Sequence, residues 1–379
     1  VSGVKVCILS SVHDALDNRV FYREACSLQR AGYHVTLVAV HSRNEVKEGV
    51  HIVGLPRVPR WRRPLLWLRL LRHALATRAD IYLFHDPELL LVTPWLRLLT
   101  GKPTIYDVHE AYPDFIRVKD YLPVWVRYPI AWLFNWLEPL LARLQSGLIF
   151  ADDQIATSFE HLRCAKVTLF NFPERGFLED AAAAASETGQ RQPVVLYLGA
   201  MERNRGSRLM VEAFAQVLAE FPGARLLHVG HMAPPDLEDE VRGDLAAGDI
   251  SAAVTLTGRV PFEQIGEFLK RAAVGWVTWQ PVPKNEKNIP TKLFEYMACG
   301  LPVVSSNLAS TRPFVRSGEN GYLVTADDPA AHAQAILRLL RDPDAASAMG
   351  KRGQELVRSR WNWDEMEEWL LLLFQELLS

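Results

Sequence analysis

Short, almost unbroken apolar runs recur along this chain in two series, and that rhythm restricts its fold more than any other feature. The first series reads "KVCILSS" (5–11), "HVTLVAV" (34–40), "IYLFHD" (81–86), "PTIYDVH" (103–109), "GLIFAD" (147–152) and "VTLFNF" (167–172). The second reads "VVLYLGA" (194–200), "ARLLHVG" (224–230), "VTLTG" (254–258), "VGWVTW" (274–279) and "PVVSS" (302–306). Strands that do not alternate with polar residues are buried on both faces, as parallel strands covered by helices are. The expected class is α/β, with two doubly wound domains facing each other across a cleft lined by the carboxyl ends of the strands. At 379 residues, two cores are the default. Between the series, "DAAAAASETGQRQP" (180–193) shifts to Ala, Ser, Gly and polar residues and reads as a linker or a partly helical run. The expected domains are therefore 1–179 and 194–360. An amphipathic helix over 361–379 is expected to pack back on the first domain.

Bulk chemistry removes several function classes. The chain is 49% hydrophobic and 23% charged with a net charge of −2, which argues against a dedicated nucleic-acid binder. Its four cysteines form no Cys-x-x-Cys pair, so a reduced cytosolic protein without structural zinc is expected. No signal peptide and no membrane span are legible. A nicotinamide dehydrogenase would need Gly-x-Gly-x-x-Gly after the first strand, and "CILSSVHDALDNR" has none.

The most informative stretch is "NIPTKLFEYMACGLPVVSS" (288–306). Pro290 suits the start of a helix, where its missing N–H has no intrahelical partner. Free amides near Thr291 and the positive end of the helix dipole make an anion site there. Lys292 adds a point charge, and Glu295, one turn on, can accept two hydrogen bonds from a vicinal diol. A diphosphate beside a ribose meets all three demands, as in a nucleotide sugar. A capped surface helix with solvated Lys and Glu is the competing reading.

Residues 288–306 resemble the donor-binding signature of the retaining glycosyltransferases of family 4. "DNRVFYREACSLQRAGYHVTLVA" (17–39), "YDVHEAYP" (106–113), "YLGAMERNRG" (197–206), "LTGRV" (256–260) and "PTKLFEYMACGLPVV" (290–304) follow in that family's order. The resemblance implies the GT-B fold of two Rossmann-like domains, with a nucleotide-diphosphate sugar as donor and no cofactor. It assigns Glu295 to the ribose hydroxyls, and Arg205 and Lys292 to the diphosphate. Pro290, Thr291 and Gly199 fall in the donor pocket, and Arg259 and Val260 follow the strand whose end reads the base. His109 falls where the transferred sugar and its leaving phosphate meet. Uridine stands ahead of guanosine on family frequency. One departure is plain: the family's first glutamate, which contacts donor-sugar hydroxyls, falls on Lys287. Either Glu286 reaches in from a shifted loop, or backbone groups near Asn288 take over.

Departure of a diphosphate needs fixed positive groups on its oxygens, which Arg205, Lys292 and nearby amides would supply without a metal. "DPD" (342–344) follows a helical run and reads as a turn with a helix cap, not a metal pair. The resemblance implies retention, with the acceptor attacking the face the phosphate leaves. It also places the acceptor, a saccharide or lipid-linked saccharide, on the N-terminal half, where Asp17, Arg19, His85 and Glu110 are candidates. Residues 57–78 carry seven arginines, two tryptophans and no acid, and 121–144 adds three tryptophans. Such segments suit an anionic bilayer surface, or else two helices covering the sheet. The expected location is cytoplasmic, on the inner face of the plasma membrane. A GT-B epimerase or hydrolase, and a sugar-nucleotide-binding subunit without turnover, stay as rivals.

Overall fold

The computed structural model describes residues 3–118, 122–187, 191–261 and 264–379. Residue 121 of the second Trp-rich segment and residues 188–190 of the expected linker lie outside the described residues. Two parallel-sheet units account for the chain: one runs up to Asn171 and adds Trp363–Ser379, and the other is Phe172–Asn362.

The first unit holds β1 (Lys5–Asp14), β2 (His34–Val40), β3 (Glu45–Lys47), β4 (Val50–Leu55), β5 (Ile81–Phe84), β6 (Thr104–Val108), β7 (Gly147–Phe150) and β8 (Ala165–Thr168). Their order is β3-β4-β2-β1-β5-β6-β7-β8, parallel except for the β3–β4 hairpin. β5, β6 and β7 are buried at every residue, which is why they read as continuous apolar runs. The hairpin turns at Glu48 and Gly49, both with positive φ (49° and 78°). Its β4 carries exposed His51 in an edge-side pattern that the apolar-run reading does not detect.

The second unit holds β9 (Val194–Leu198), β10 (Arg225–Val229), β11 (Val254–Leu256), β12 (Val274–Val277), β13 (Val303–Ser306) and β14 (Gly321–Val324). They form one parallel sheet in the order β11-β10-β9-β12-β13-β14. Its core gathers Val195, Phe214, Leu226, Trp276, Val304 and Ile336. The segment 180–193 is not an open linker throughout: a helix spans Arg175–Glu187, and the division between units falls earlier, after Asn171.

The last helix, Trp363–Leu378, belongs to the first unit. Trp363 Nε1 donates to Ser27 Oγ (2.9 Å), and Ser27 Oγ in turn donates to Glu367 Oε2 (2.7 Å). Phe170 N–H reaches Met366 Sδ at 3.2 Å, and Tyr33 meets Phe374 edge-on.

Candidate active site

In the second unit the ends of β9, β10 and β12 and the helix Lys292–Ala298 converge on one buried cation. Tyr296 fixes that helix: its hydroxyl accepts from Leu198 N–H (2.7 Å) and donates to Trp276 O (3.3 Å). Gly275 permits this, because a Cβ there would lie 2.3 Å from Tyr296 Cγ. The helix thereby carries Lys292 inward to 6% exposure, with Nζ 3.6 Å from the Tyr197 ring centroid. Among the described residues Lys292 Nζ has no hydrogen-bond partner. Burial first, then the charge of Arg205, drives its pKa well below the usual lysine range, against the pull of Glu295. A solvated surface lysine is therefore ruled out.

Arg205 stands beside it on the turn Arg203–Arg205 after β9. Its Nη1 donates to Ala200 O (3.0 Å), its guanidinium lies over Trp279, and its buried Nε has no partner among the described residues. The turn is locked by Thr278 Oγ1 donating to Arg205 O and by Asn285 Nδ2 donating to Asn204 O (2.8 Å). Gly206, with φ of 83°, lets the chain pass Thr278 O, which a Cβ would meet at 2.1 Å. Gly199 ends β9, and its carbonyl faces His228 Nε2 at 3.2 Å. His228 is fully buried and its pKa is pushed down to about 4 by burial and then by Lys292. It is thus a neutral imidazole beside the cation, missed in the sequence although it interrupts the apolar run "ARLLHVG".

The other donor candidates divide. Glu295, half-buried, is one turn beyond Lys292 and within its electrostatic reach. Arg259 is exposed, with Nη2 3.4 Å from His231 Nε2, and Val260 follows it half-buried. Thr291 is exposed at the helix start and Pro290 is buried just before it. The amide site is narrower than expected, because Leu293 and Phe294 N–H bond to Pro290 O and Thr291 O. Glu286 is half-buried, and its Oε2 accepts from Ala309 N–H (2.6 Å). Asn288 N–H bonds to Lys284 O, closing the helix Pro283–Lys287 that carries Lys287. Asp342 accepts from Ala345 N–H (3.0 Å), so "DPD" caps the helix Pro343–Ser359.

In the first unit a polar cluster fills the ends of β1, β5 and β6. Asp107 is its centre. Arg19 donates to both its oxygens (Nε to Oδ2 at 2.8 Å, Nη2 to Oδ1 at 3.0 Å) and also to Leu169 O and Asn171 Oδ1 through Nη1. His109 Nε2 and His85 Nδ1 lie 2.7 and 3.2 Å from Asp107 Oδ2. Glu24 completes the group, with Oε2 3.4 Å from His85 Nε2 and Oε1 3.1 Å from Arg19 Nε. Glu24, His85, Asp107 and His109 bring ligand-type atoms within 4.8 Å of one another, and Arg19 Nε already pairs with two of them, 3.1 Å from Glu24 Oε1 and 2.8 Å from Asp107 Oδ2. Arg19 and His85 are buried, so neither presents itself to an acceptor; both brace Asp107 and His109.

His109 reaches the surface at 11% exposure, and its pKa is pushed to about 4 by burial, against the charge of Asp107. Beside it lies His13, absent from the sequence reading, with its ring 5.2 Å from that of His109. Burial opposes charging His13, yet Asp17 and Asp86 raise its pKa overall. Asp17 caps the helical segment Asn18–Ala25 through Arg19 and Val20 N–H. Asp86 anchors the second half of β1 by accepting from Ser10 Oγ and Ser11 N–H. Glu110 is half-buried next to His109.

Two family models cover most of the chain: a glycosyl transferase 4-like domain over residues 18–169 and glycosyl transferases group 1 over residues 192–342. Phosphatidyl-myo-inositol mannosyltransferase of Mycobacterium leprae is 30% identical over 304 residues, 79% of this chain and 74% of that protein. This chain belongs to the group 1 glycosyltransferases, family 4. D-inositol 3-phosphate glycosyltransferase of Acidothermus cellulolyticus is 31% identical over 195 residues, where the match spans 49% of this chain and 41% of that relative. Among solved structures, sucrose-phosphate synthase from Thermosynechococcus elongatus superposes with a TM-score of 0.77 at 20% identity over 99% of both chains. Anabaena HepE in complex with UDP and glucose gives 0.74 at 14% identity over 98% of this chain and 100% of that one. These likenesses establish the GT-B fold of this group 1 glycosyltransferase.

A separate feature of the first unit is its exposed apolar face. The helix Arg63–Thr77 packs against Thr93–Thr100, and the helix Val124–Ala142 packs against the turn Pro87–Leu91 that leads into Thr93–Thr100. Trp61, Leu68, Leu98, Trp125, Trp132 and Trp136 are all more than half exposed along these elements. Arg62 stacks on Trp61, while Arg57 and Arg63 pair with Asp14 and Glu88. No helix among the described residues is long and apolar enough to cross a membrane.

Proposed function

We infer that this chain transfers a sugar from a nucleotide-diphosphate sugar to a saccharide or lipid-linked acceptor, with retention and without a metal, in glycoconjugate synthesis. One observation carries the reading. Lys292 Nζ is buried beside Arg205 and has no hydrogen-bond partner among the described residues. An uncompensated buried charge is costly, and an arriving diphosphate removes that cost. Arg205 and Lys292 then stabilise the charge that develops on the leaving phosphate, so a metal has no further task there. Attack by the acceptor on the face the phosphate leaves gives retention, with the phosphate itself taking the proton. His109 meets a substrate hydroxyl.

Uridine is favoured over guanosine as the base: Anabaena HepE binds UDP-glucose, although a Corynebacterium glutamicum relative carries GDP-mannose in its name. The acceptor reading draws on the phosphatidyl-myo-inositol named for the Mycobacterium leprae relative and on the exposed Trp and Arg face, which suits an anionic bilayer on the cytoplasmic side. Glu286 bonded to Ala309 N–H, with Lys287 beside it, favours a second reading: a donor-binding subunit without turnover.

Thermal unfolding against UDP, GDP and their sugars tests the donor. A matched ligand at 100 times its Kd adds about 2.7 kcal/mol of stability. If no nucleotide diphosphate raises the Tm, the transferase reading fails. Consumption of the stabilising donor with and without acceptors then separates transfer, hydrolysis and binding alone. Sedimentation with phosphatidylglycerol vesicles at low salt is expected to carry the protein down, and phosphatidylcholine vesicles to leave it in solution. Equal recovery in both supernatants would remove the lipid-surface part.

A further inference from the structure

The buried cluster of the first unit constrains where His109 carries its proton. Arg19 Nε and His109 Nε2 lie 2.8 and 2.7 Å from Asp107 Oδ2, so both donate and Asp107 is the acceptor. His85 Nδ1 lies 3.2 Å from the same oxygen and 3.0 Å from His109 Nε2, and two N–H groups do not face each other at that distance, so His85 Nδ1 accepts from His109 Nε2–H. His85 Nε2 then carries the ring proton, 3.4 Å from Glu24 Oε2. Burial, followed by the charge of Asp107, holds the Glu24 pKa well above the usual carboxylate range, whereas Arg19 and His109 hold Asp107 well below it. His109 Nε2–H is committed to Asp107 and His85 Nδ1, which leaves its own Nδ1 as the unprotonated nitrogen of the one ring in this chain of groups that reaches the surface.

We propose that Asp107, braced by Arg19 and seconded by His85, is a positioning residue that fixes His109 as its Nε2–H tautomer so that Nδ1 accepts a hydrogen bond from a substrate hydroxyl. The hydroxyl partner rests on the transferase reading; the tautomer does not. The surrounding charged groups are Asp107, Arg19, Glu24 and His85 behind the ring and His13, with Asp17 and Asp86, beside it.

The test is two-bond 1H–15N correlation spectroscopy on the histidine-labelled full chain. The His109 resonances are expected in the neutral Nε2–H pattern from about pH 5 to about pH 8, consistent with a pKa near 4. An Nδ1–H pattern, or protonation with a midpoint near neutrality, overturns the proposal even if the protein transfers sugar. Glu24→Gln, whose amide oxygen can still accept from His85 Nε2–H, should keep the Nε2–H pattern. With a working donor and acceptor, Asp107→Asn should lower kcat by about 10²- to 10⁴-fold, the scale of losing a tautomer-fixing carboxylate, while the donor KM shifts little. An unchanged kcat in a folded Asp107→Asn protein also overturns it. Should that variant not fold, the wild-type spectrum decides alone; should no sugar transfer be found, it still does.

Discussion

The two polar centres of this chain bury charge in opposite ways. In the first unit Arg19, Asp107, Glu24, His85 and His109 answer one another, and the guanidinium alone makes bonds to Asp107, Leu169 and Asn171. In the second unit Lys292 is as deeply buried, yet among the described residues its Nζ has no hydrogen-bond partner; it lies over the Tyr197 ring near the neutral His228 and another cation, Arg205, with Glu295 as an opposing charge. A self-contained cluster is a device for holding a group in place. A buried lysine so placed beside an arginine matches an anionic ligand, as the proposed donor diphosphate is.

The largest expected effect tests the closed cluster. Arg19→Met should destabilise the protein by about 3–5 kcal/mol, because it strands the buried Asp107 charge; denaturant unfolding with an unchanged midpoint would mean the cluster is not self-compensating. Arg205→Ala, at the open centre, should leave the fold intact and lower turnover on the order of 100-fold, read from initial rates at saturating donor. Normal turnover would mean the diphosphate lies elsewhere. Glu295→Ala should weaken donor binding by ~1–3 kcal/mol in calorimetry.

The smallest effect is the most specific to the comparison. The Lys292 pKa is lower in the folded chain than the ordinary value of 10.5, so between the two values the unfolded chain holds more protons. Stability without ligand should therefore rise with pH across that window. Lys292→Met should flatten the rise and leave the unliganded protein equally or more stable, while abolishing the stabilisation by nucleotide. A loss of stability as large as that of Arg19→Met would show that Glu295 compensates Lys292 as fully as Asp107 compensates Arg19.

Much of the framework was legible because parallel strands buried on both faces leave an unmistakable apolar trace, and β1, β2, β9 and β12 carry it. The β3–β4 hairpin and β14 lie at sheet edges and alternate or shorten, so the same reading passes over them. Lys292, Arg205 and Glu295 were visible as a pattern, but the depth of Lys292 depends on Tyr296 reaching two strands. The first-unit cluster was harder. Its members lie at 13, 19, 24, 85, 107 and 109, and they meet only because β1 pairs with β5 and β5 with β6. Spacing along the chain does not reveal strand order, which is why His13, Glu24 and Asp107 went unnoticed and Arg19 and His85 were read as acceptor contacts. The sequence left Glu286 and the backbone near Asn288 as alternatives for the donor sugar, and it does not reveal that Glu286 Oε2 accepts from Ala309 N–H.

The closing helix has a consequence for how this molecule can be made or divided. Trp363, Met366 and Phe374 complete a unit whose other residues were all synthesised before Asn171, with the entire second sheet encoded in between. The first unit therefore stays incomplete until the helix Trp363–Leu378 has been made. A cut anywhere within the second unit parts that helix from the rest of the unit it completes.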